Sequence, residues 1–371
     1  MFTVFGVAYS FGAFFDPMAR EFHVNRASTS AVFSITSFLW FALGSVTGLL
    51  ADRLGPRRVL LVGMVVMAAG LGLTSLAPNI WIGYLAYGLG VGIGTACGYV
   101  PLVAAVGGWF DPRRRSLAIG IAVTGIGVGT LLVPPLAAAG ITAWGWRRTY
   151  LVLAVGTVVL LSLAAAFARR PPHVAGADLR LGAAVRSRRF MVMYGGGILA
   201  SFALFMAFVH LVPFAVQRGI APVTAAALIG AIGIGSTASR TTLGWAAARL
   251  GVVRTYQAST ALLGLSFAVW LAFPSYAGLV VFALLLGFGY GGWVALSPSV
   301  VAELFGARGL GGSVGFLYTS AAIGSLFGPP VAGLIVDRSG SYTVAIGAAL
   351  VLGVLSAALL LPLPARRVES I

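Results

Sequence analysis

Apolar residues occur along this chain in long, regularly repeated runs. Runs of about 20 residues or more, enough to cross a bilayer as helices, occupy 1–18, 28–50, 58–77, 80–106, 115–140, 148–168, 190–216, 222–248, 254–273, 276–302, 309–335 and 341–363. Polar residues gather in short loops between them, with one exception. The stretch from Arg169 to Arg189 holds Pro171-Pro172 and six Arg residues, and reads as a linker. The pattern predicts an all-α integral membrane protein of about 12 transmembrane helices. A six-helix bundle fills 1–168, a cytoplasmic linker 169–189 and a second six-helix bundle 190–371. The first run lacks the basic start and small-residue cleavage site of a signal peptide. It opens so abruptly that the first helix is expected to be truncated at Met1.

Charge then orients the helices. Every one of the 24 basic residues is Arg, and alternate loops hold 17 of them against 6, with Arg240 as the remainder. Basic residues concentrate on the cytoplasmic side of membrane proteins, so both termini are expected inside, in a multi-pass protein of a bacterial inner membrane. The net charge of +16 would suggest nucleic acid in a soluble chain; here it is a topology signal, and no nucleic acid is expected. With 59% hydrophobic and 9% charged residues and a mean hydropathy of +1.01, a soluble fold is excluded. The 51 glycines suit close helix packing in lipid. A lone Cys97 rules out an intrachain disulfide and reads as a packing residue, and His23, His173 and His210 are too scattered to form a metal site. No cofactor is expected, and no constellation supports enzyme activity.

Two six-helix halves are a transporter architecture, with the substrate site near the membrane midplane between them. Arg240 lies in the run from Pro222 to Ala248, which contains no acidic residue. A guanidinium at membrane depth costs about 3 kcal/mol on insertion scales and faces a polar cavity or a partner. Its fork matches a carboxylate and it cannot shed its charge. The missing anion is therefore read as a substrate; a snorkelling Arg or one paired across the bundle is the alternative.

The loop after the second run reads Gly48-Leu-Leu-Ala-Asp52-Arg53-Leu-Gly55-Pro-Arg57-Arg58. It resembles the signature loop of the major facilitator superfamily, which implies the major facilitator fold and a conformational gate at Gly48, Asp52, Arg53, Gly55, Arg57 and Arg58. Gly244 to Gly251 repeats the loop in the second half with Ala248 at the acidic position. The segments Gly108 to Gly127, Phe208 to Ala215, Gly287 to Trp293 and Glu303 to Gly309 resemble monocarboxylate porters and the oxalate/formate antiporter group. That resemblance implies that the buried Arg of the eighth span, here Arg240, binds a substrate carboxylate. Departures narrow it. Ser236 stands where porters often carry Asp and Gln217 where bacterial relatives often carry an acid, and there is no Lys on the eleventh span as in oxalate exchangers. A dianionic substrate is less favoured.

Depth along the helices, at about 1.5 Å per residue, places Tyr99, Arg240 and Tyr318 on one level, with Tyr290 and Trp293 nearer the middle of the tenth span. These five are the expected substrate-binding residues. His210 falls about 15–20 Å from that level, and is either a proton-coupling group, titrating near its ordinary range, or a neutral ring bonded to a carbonyl near Pro213. The glycines from Gly88 to Gly98 read as a helix-packing stripe, and Pro134-Pro135 and Pro329-Pro330 as paired helix breaks. The expected function is alternating-access transport of a small organic monocarboxylate together with a proton, by a monomer. Anion exchange, carboxylate sensing without turnover and drug efflux stand as alternatives.

Overall fold

A computed structural model describes residues 1–110, 112–171, 183–306 and 310–364. The linker residues 172–182 with His173, Asp111, Arg308, and the terminal Arg366 and Arg367 lie outside the described residues, as do the side chains of Arg113, Arg114 and Arg115. Among the described residues there are helices and turns and no strand, as lipid demands of a backbone that must satisfy its own hydrogen bonds. Ten helical stretches are each long and apolar enough to cross a bilayer. Two further segments complete twelve crossings.

The first crossing is interrupted. α1 (Phe2–Tyr9) meets α2 (Phe11–Glu21) at Ser10, whose hydroxyl donates to the Val7 carbonyl at 2.7 Å. Ser10 keeps helical φ and ψ of −74° and −9°, and its N–H still reaches the Gly6 carbonyl at 3.1 Å, so the hydroxyl bond interrupts the ladder only locally. α3 (Arg26–Leu54) and α4 (Pro56–Ser75) follow. The fourth crossing joins α5 (Ile80–Gly83) to α6 (Gly90–Trp109) through a π-helical turn at Tyr84–Leu89. α7 (Pro112–Trp144) and α8 (Trp146–Phe167) end the first half. The second half comprises α9 (Arg188–Gln217), α10 (Pro222–Leu250), α11 (Val252–Ala272), α12 (Tyr276–Phe305), α13 (Leu310–Ser339) and α14 (Tyr342–Leu360). The expected glycine stripe is present: a Cβ on Gly88 or Gly92 would strike α3, and one on Gly90 or Gly94 would strike α4. α7 and α13 run through Pro134-Pro135 and Pro329-Pro330 without a break, which corrects the expectation of broken helices. Close neighbours cover the freed carbonyls, as where Gly230 of α10 lies against Leu131.

Each half divides again into two triplets of helices. In every triplet the second helix turns into the third on a glycine: Gly55, Gly145, Gly251 and Gly340, with φ of 90°, 81°, 89° and 67°. A side chain resists that conformation and glycine does not. Gly55 and Gly251 sit at the face that carries most of the Arg residues, Gly145 and Gly340 at the opposite face. The alternation is that of inverted repeats.

The halves meet along two antiparallel helix pairs, α3 with α13 and α7 with α10. At the opposite face these contacts close to backbone distance: a Cβ on Gly333 of α13 would lie 2.7 Å from the Ala27 nitrogen of α3. The Asp337 carboxylate of α13 accepts hydrogen bonds from the Arg26 and Ala27 N–H groups at 3.2 and 3.0 Å, capping α3 from the other half. Nearby, Arg147 joins three segments of the first half, donating to Glu21 at 2.7 Å, to the Ser75 carbonyl at 2.7 Å and to the Ala77 carbonyl at 2.8 Å.

Candidate functional site

A cavity of about 320 Å³ lies between the halves. The first half lines it with residues of α1, α3, α6 and α7, the second with residues of α10, α12 and α13. Gly48, Leu49 and Asp52 at the end of α3, with Ala104 and Val314, surround its mouth, so it opens toward the Arg-rich face. Toward the opposite face aromatic rings seal it. Tyr9 stacks on Phe208 across the halves at 4.2 Å, and Trp40 meets Phe205 edge-on at 6.0 Å. The Tyr9 and Tyr290 hydroxyls lie 3.3 Å apart across the same seam.

Arg240 enters the cavity from α10. Its Nε is buried without a hydrogen-bond partner, and among the described residues no carboxylate pairs with the guanidinium. The guanidinium carbon lies 5.8 Å from the centroid of the Tyr290 ring, whose face offers weak compensation. Tyr9, Tyr99 and Tyr318 all lie within electrostatic reach of it. A half-buried cation with open donors favours an anion, because part of its desolvation has already been met by the fold.

All five residues expected at the substrate site, Arg240, Tyr99, Tyr290, Tyr318 and Trp293, line this cavity. Their hydroxyls are not equivalent. Tyr318 donates to the Val294 carbonyl at 3.2 Å, so its proton is committed to the protein. The Tyr99 hydroxyl has no hydrogen-bond partner among the described residues. Trp293 is nearly buried among Tyr256 and its neighbours. Sequence reasoning missed Phe5, Tyr9, Trp40 and Phe41, which build the opposite wall. Ser236, one turn before Arg240, borders a void of about 10 Å³ between α7 and α10, room for about one water.

His210 is elsewhere. It is fully buried at the sealed end, with Nε2 2.9 Å from the Pro329 carbonyl and 3.1 Å from the Ser30 hydroxyl. A carbonyl only accepts, so Nε2 carries the hydrogen and the ring bridges α13 to α3. Nδ1 faces the Tyr342 hydroxyl at 3.5 Å, which in turn receives the Arg26 Nε at 3.3 Å. The carbonyl partner belongs to Pro329 rather than to the neighbourhood of Pro213.

The signature loop sits at the open mouth. A Cβ on Gly48 would lie 3.1 Å from Val100, and Gly55 makes the positive-φ turn into α4. Arg170 donates to the Arg53 carbonyl. Asp52 has neither a hydrogen bond nor an ion pair among the described residues, and Arg57 and Arg58 are exposed.

The family model of the Major Facilitator Superfamily matches residues 1–245 and 193–370. Monocarboxylate transporter 13 of Rattus norvegicus is 30% identical over 349 residues, covering 92% of this chain and 81% of its own. Monocarboxylate transporter 11 of Homo sapiens is 29% identical over 355 residues, covering 91% of this chain and 75% of its own. A solved bacterial homolog of the human lysosomal transporter Spinster, inward-facing and occupied, matches with a TM-score of 0.73 at 18% identity, over 97% of this chain and 93% of that one. At that identity the likeness is one of fold.

Proposed function

The chain belongs to the Major Facilitator Superfamily, and we propose that it carries an organic monocarboxylate across a bacterial inner membrane by alternating access, together with a proton. The Arg-rich face is then cytoplasmic, with both termini there, and the cavity faces inward. The observation that carries this reading is Arg240, a cation that pairs with no carboxylate among the described residues, in a cavity built by both halves. One cation matches one carboxylate. The relatives named monocarboxylate transporters support the same substrate chemistry.

Proton coupling is proposed through His210. Its ring ties the two halves together where they close, beside Arg26, Asp337, Asp16 and Tyr342. Separation of the halves at this face breaks the Ser30 contact to Nε2 and the Arg26 bond to Tyr342, and so admits water beside a ring whose Pro329 and Tyr342 partners stay in its own half. A proton added at Nδ1 removes the acceptor facing Tyr342, so proton binding and opening of this face are coupled through one side chain. Anion exchange is the second reading, favoured by the cavity itself: an uncompensated Arg240 returns more readily with a second anion bound.

The test is uptake of a labelled acid panel into proteoliposomes, with and without an inward pH gradient. Arg240→Ala should abolish uptake while the protein remains folded. His210→Gln should retain exchange and lose accumulation driven by the gradient. Unchanged affinity in Arg240→Ala would end the anchor role, and undiminished pH-driven uptake in His210→Gln would remove that residue from coupling. Equal loss of exchange and uptake would make His210 structural.

A further inference from the structure

The two walls of the cavity are chemically unlike. The second half contributes the cation, with Tyr290 and Tyr318 around it. The first half contributes a continuous surface of rings with no charged group at the level of Arg240. Phe5 meets Tyr99 edge-on at 5.3 Å and Trp40 at 5.7 Å, and Trp40 meets Tyr9 edge-on at 5.7 Å. These rings, packed edge to face, line the cavity together with Arg240.

We propose that the substrates are aryl-substituted monocarboxylates, with the carboxylate on Arg240 and the aromatic ring standing among Phe5, Tyr9, Trp40 and Tyr99. The inference rests on Arg240 as carboxylate anchor and adds what the remainder of the substrate is. Three observations select it. A volume of about 320 Å³ is at the small end of organic-ligand pockets, yet far more than a two- or three-carbon acid fills. A void against rings forfeits their contacts, so a small acid uses little of the site. Among the described residues no second cation lines the cavity, so a dicarboxylate would bury a bare charge. Ring edges set against ring faces reward a flat aromatic guest over a saturated one of equal bulk, because the interaction depends on the ring quadrupole.

Binding to the purified full chain in nanodiscs, followed by calorimetry, separates the claims. The probes are phenylacetate, cyclohexylacetate, acetate, phenylmalonate and benzyl alcohol. Phenylacetate should bind about 30-fold or more tighter than acetate, the gain expected for enclosing a ring, and severalfold tighter than cyclohexylacetate. Trp40→Leu, checked for folding by circular dichroism and gel filtration, should erase most of the ratio between phenylacetate and acetate. Acetate within about threefold of phenylacetate overturns the aryl inference and leaves the carboxylate anchor intact, a difference too small for an enclosed ring. Cyclohexylacetate equal to phenylacetate overturns it in favour of bulky apolar acids. Phenylmalonate tighter than phenylacetate overturns the single-charge argument. Benzyl alcohol as tight as phenylacetate, or full phenylacetate affinity in Arg240→Ala, overturns the anchor and the inference with it.

Discussion

A guanidinium held at membrane depth without a carboxylate costs about 3 kcal/mol on insertion scales, and Arg240 bears this cost beside the face of Tyr290. Replacing it separates charge from geometry. Arg240→Lys keeps the charge and loses the fork, and should weaken carboxylate binding by about 1–3 kcal/mol, read by calorimetry. Tyr318→Phe should leave that affinity within about twofold, because the hydroxyl is already spent on the Val294 carbonyl; a larger loss would put its oxygen on the substrate. The sequence showed Tyr99, Tyr290 and Tyr318 near the depth of Arg240 because helical rise converts position directly into depth. It hid Tyr9 and Trp40 for physical reasons. Tyr9 closes α1 at the Ser10 interruption, of which an unbroken apolar run gives no sign. Trp40 stands in an apolar stretch of α3 from Phe38 to Leu43, and in lipid an apolar side chain does not tell core from bilayer. The commitment of the Tyr318 proton was likewise invisible, since it depends on a carbonyl 24 residues away on another helix.

Among the elements, α3 and α13 form the most informative pair. They run antiparallel, and each carries an Asp two residues before its last: Asp52 and Asp337. Among the described residues only Asp337 of the two is engaged, on the first N–H groups of α3. Asp337→Ala should cost the sealed arrangement about 1–2 kcal/mol, the worth of a helix cap. The population open at this face would rise correspondingly, by a factor of about 5–30. Spin labels on the ends of α3 and α13 at this face would show the longer distance gaining weight, and an unchanged distribution would refute the latch. The number and order of helices were legible because each run had bilayer length. Their ends were less so, since helices such as α3 extend beyond the apolar stretch. The proline pairs were misread as breaks because neighbouring helices, which the sequence does not display, cover the freed carbonyls. The triplet symmetry had a usable trace: Gly55-Pro-Arg-Arg and Gly145-Trp-Arg-Arg share one pattern at opposite faces.

For the molecule as a whole, the lone charge of Arg240 has an electrical consequence. The transmembrane field falls across whichever side is sealed, so a site that changes access crosses the field although the residue stays in place. With a monocarboxylate bound, Arg240 and its guest sum to zero, and the charge that the loaded reorientation moves is that of the coupled proton. Empty, the same step moves one positive charge, worth up to about 2.3 kcal/mol per 100 mV. The loaded and empty steps then carry equal charge in opposite directions, and a full cycle moves none. Proteoliposomes clamped with a potassium gradient and valinomycin should therefore accumulate substrate to a level that membrane potential does not shift. Accumulation that falls as the interior becomes negative would mean that the anion crosses without its proton.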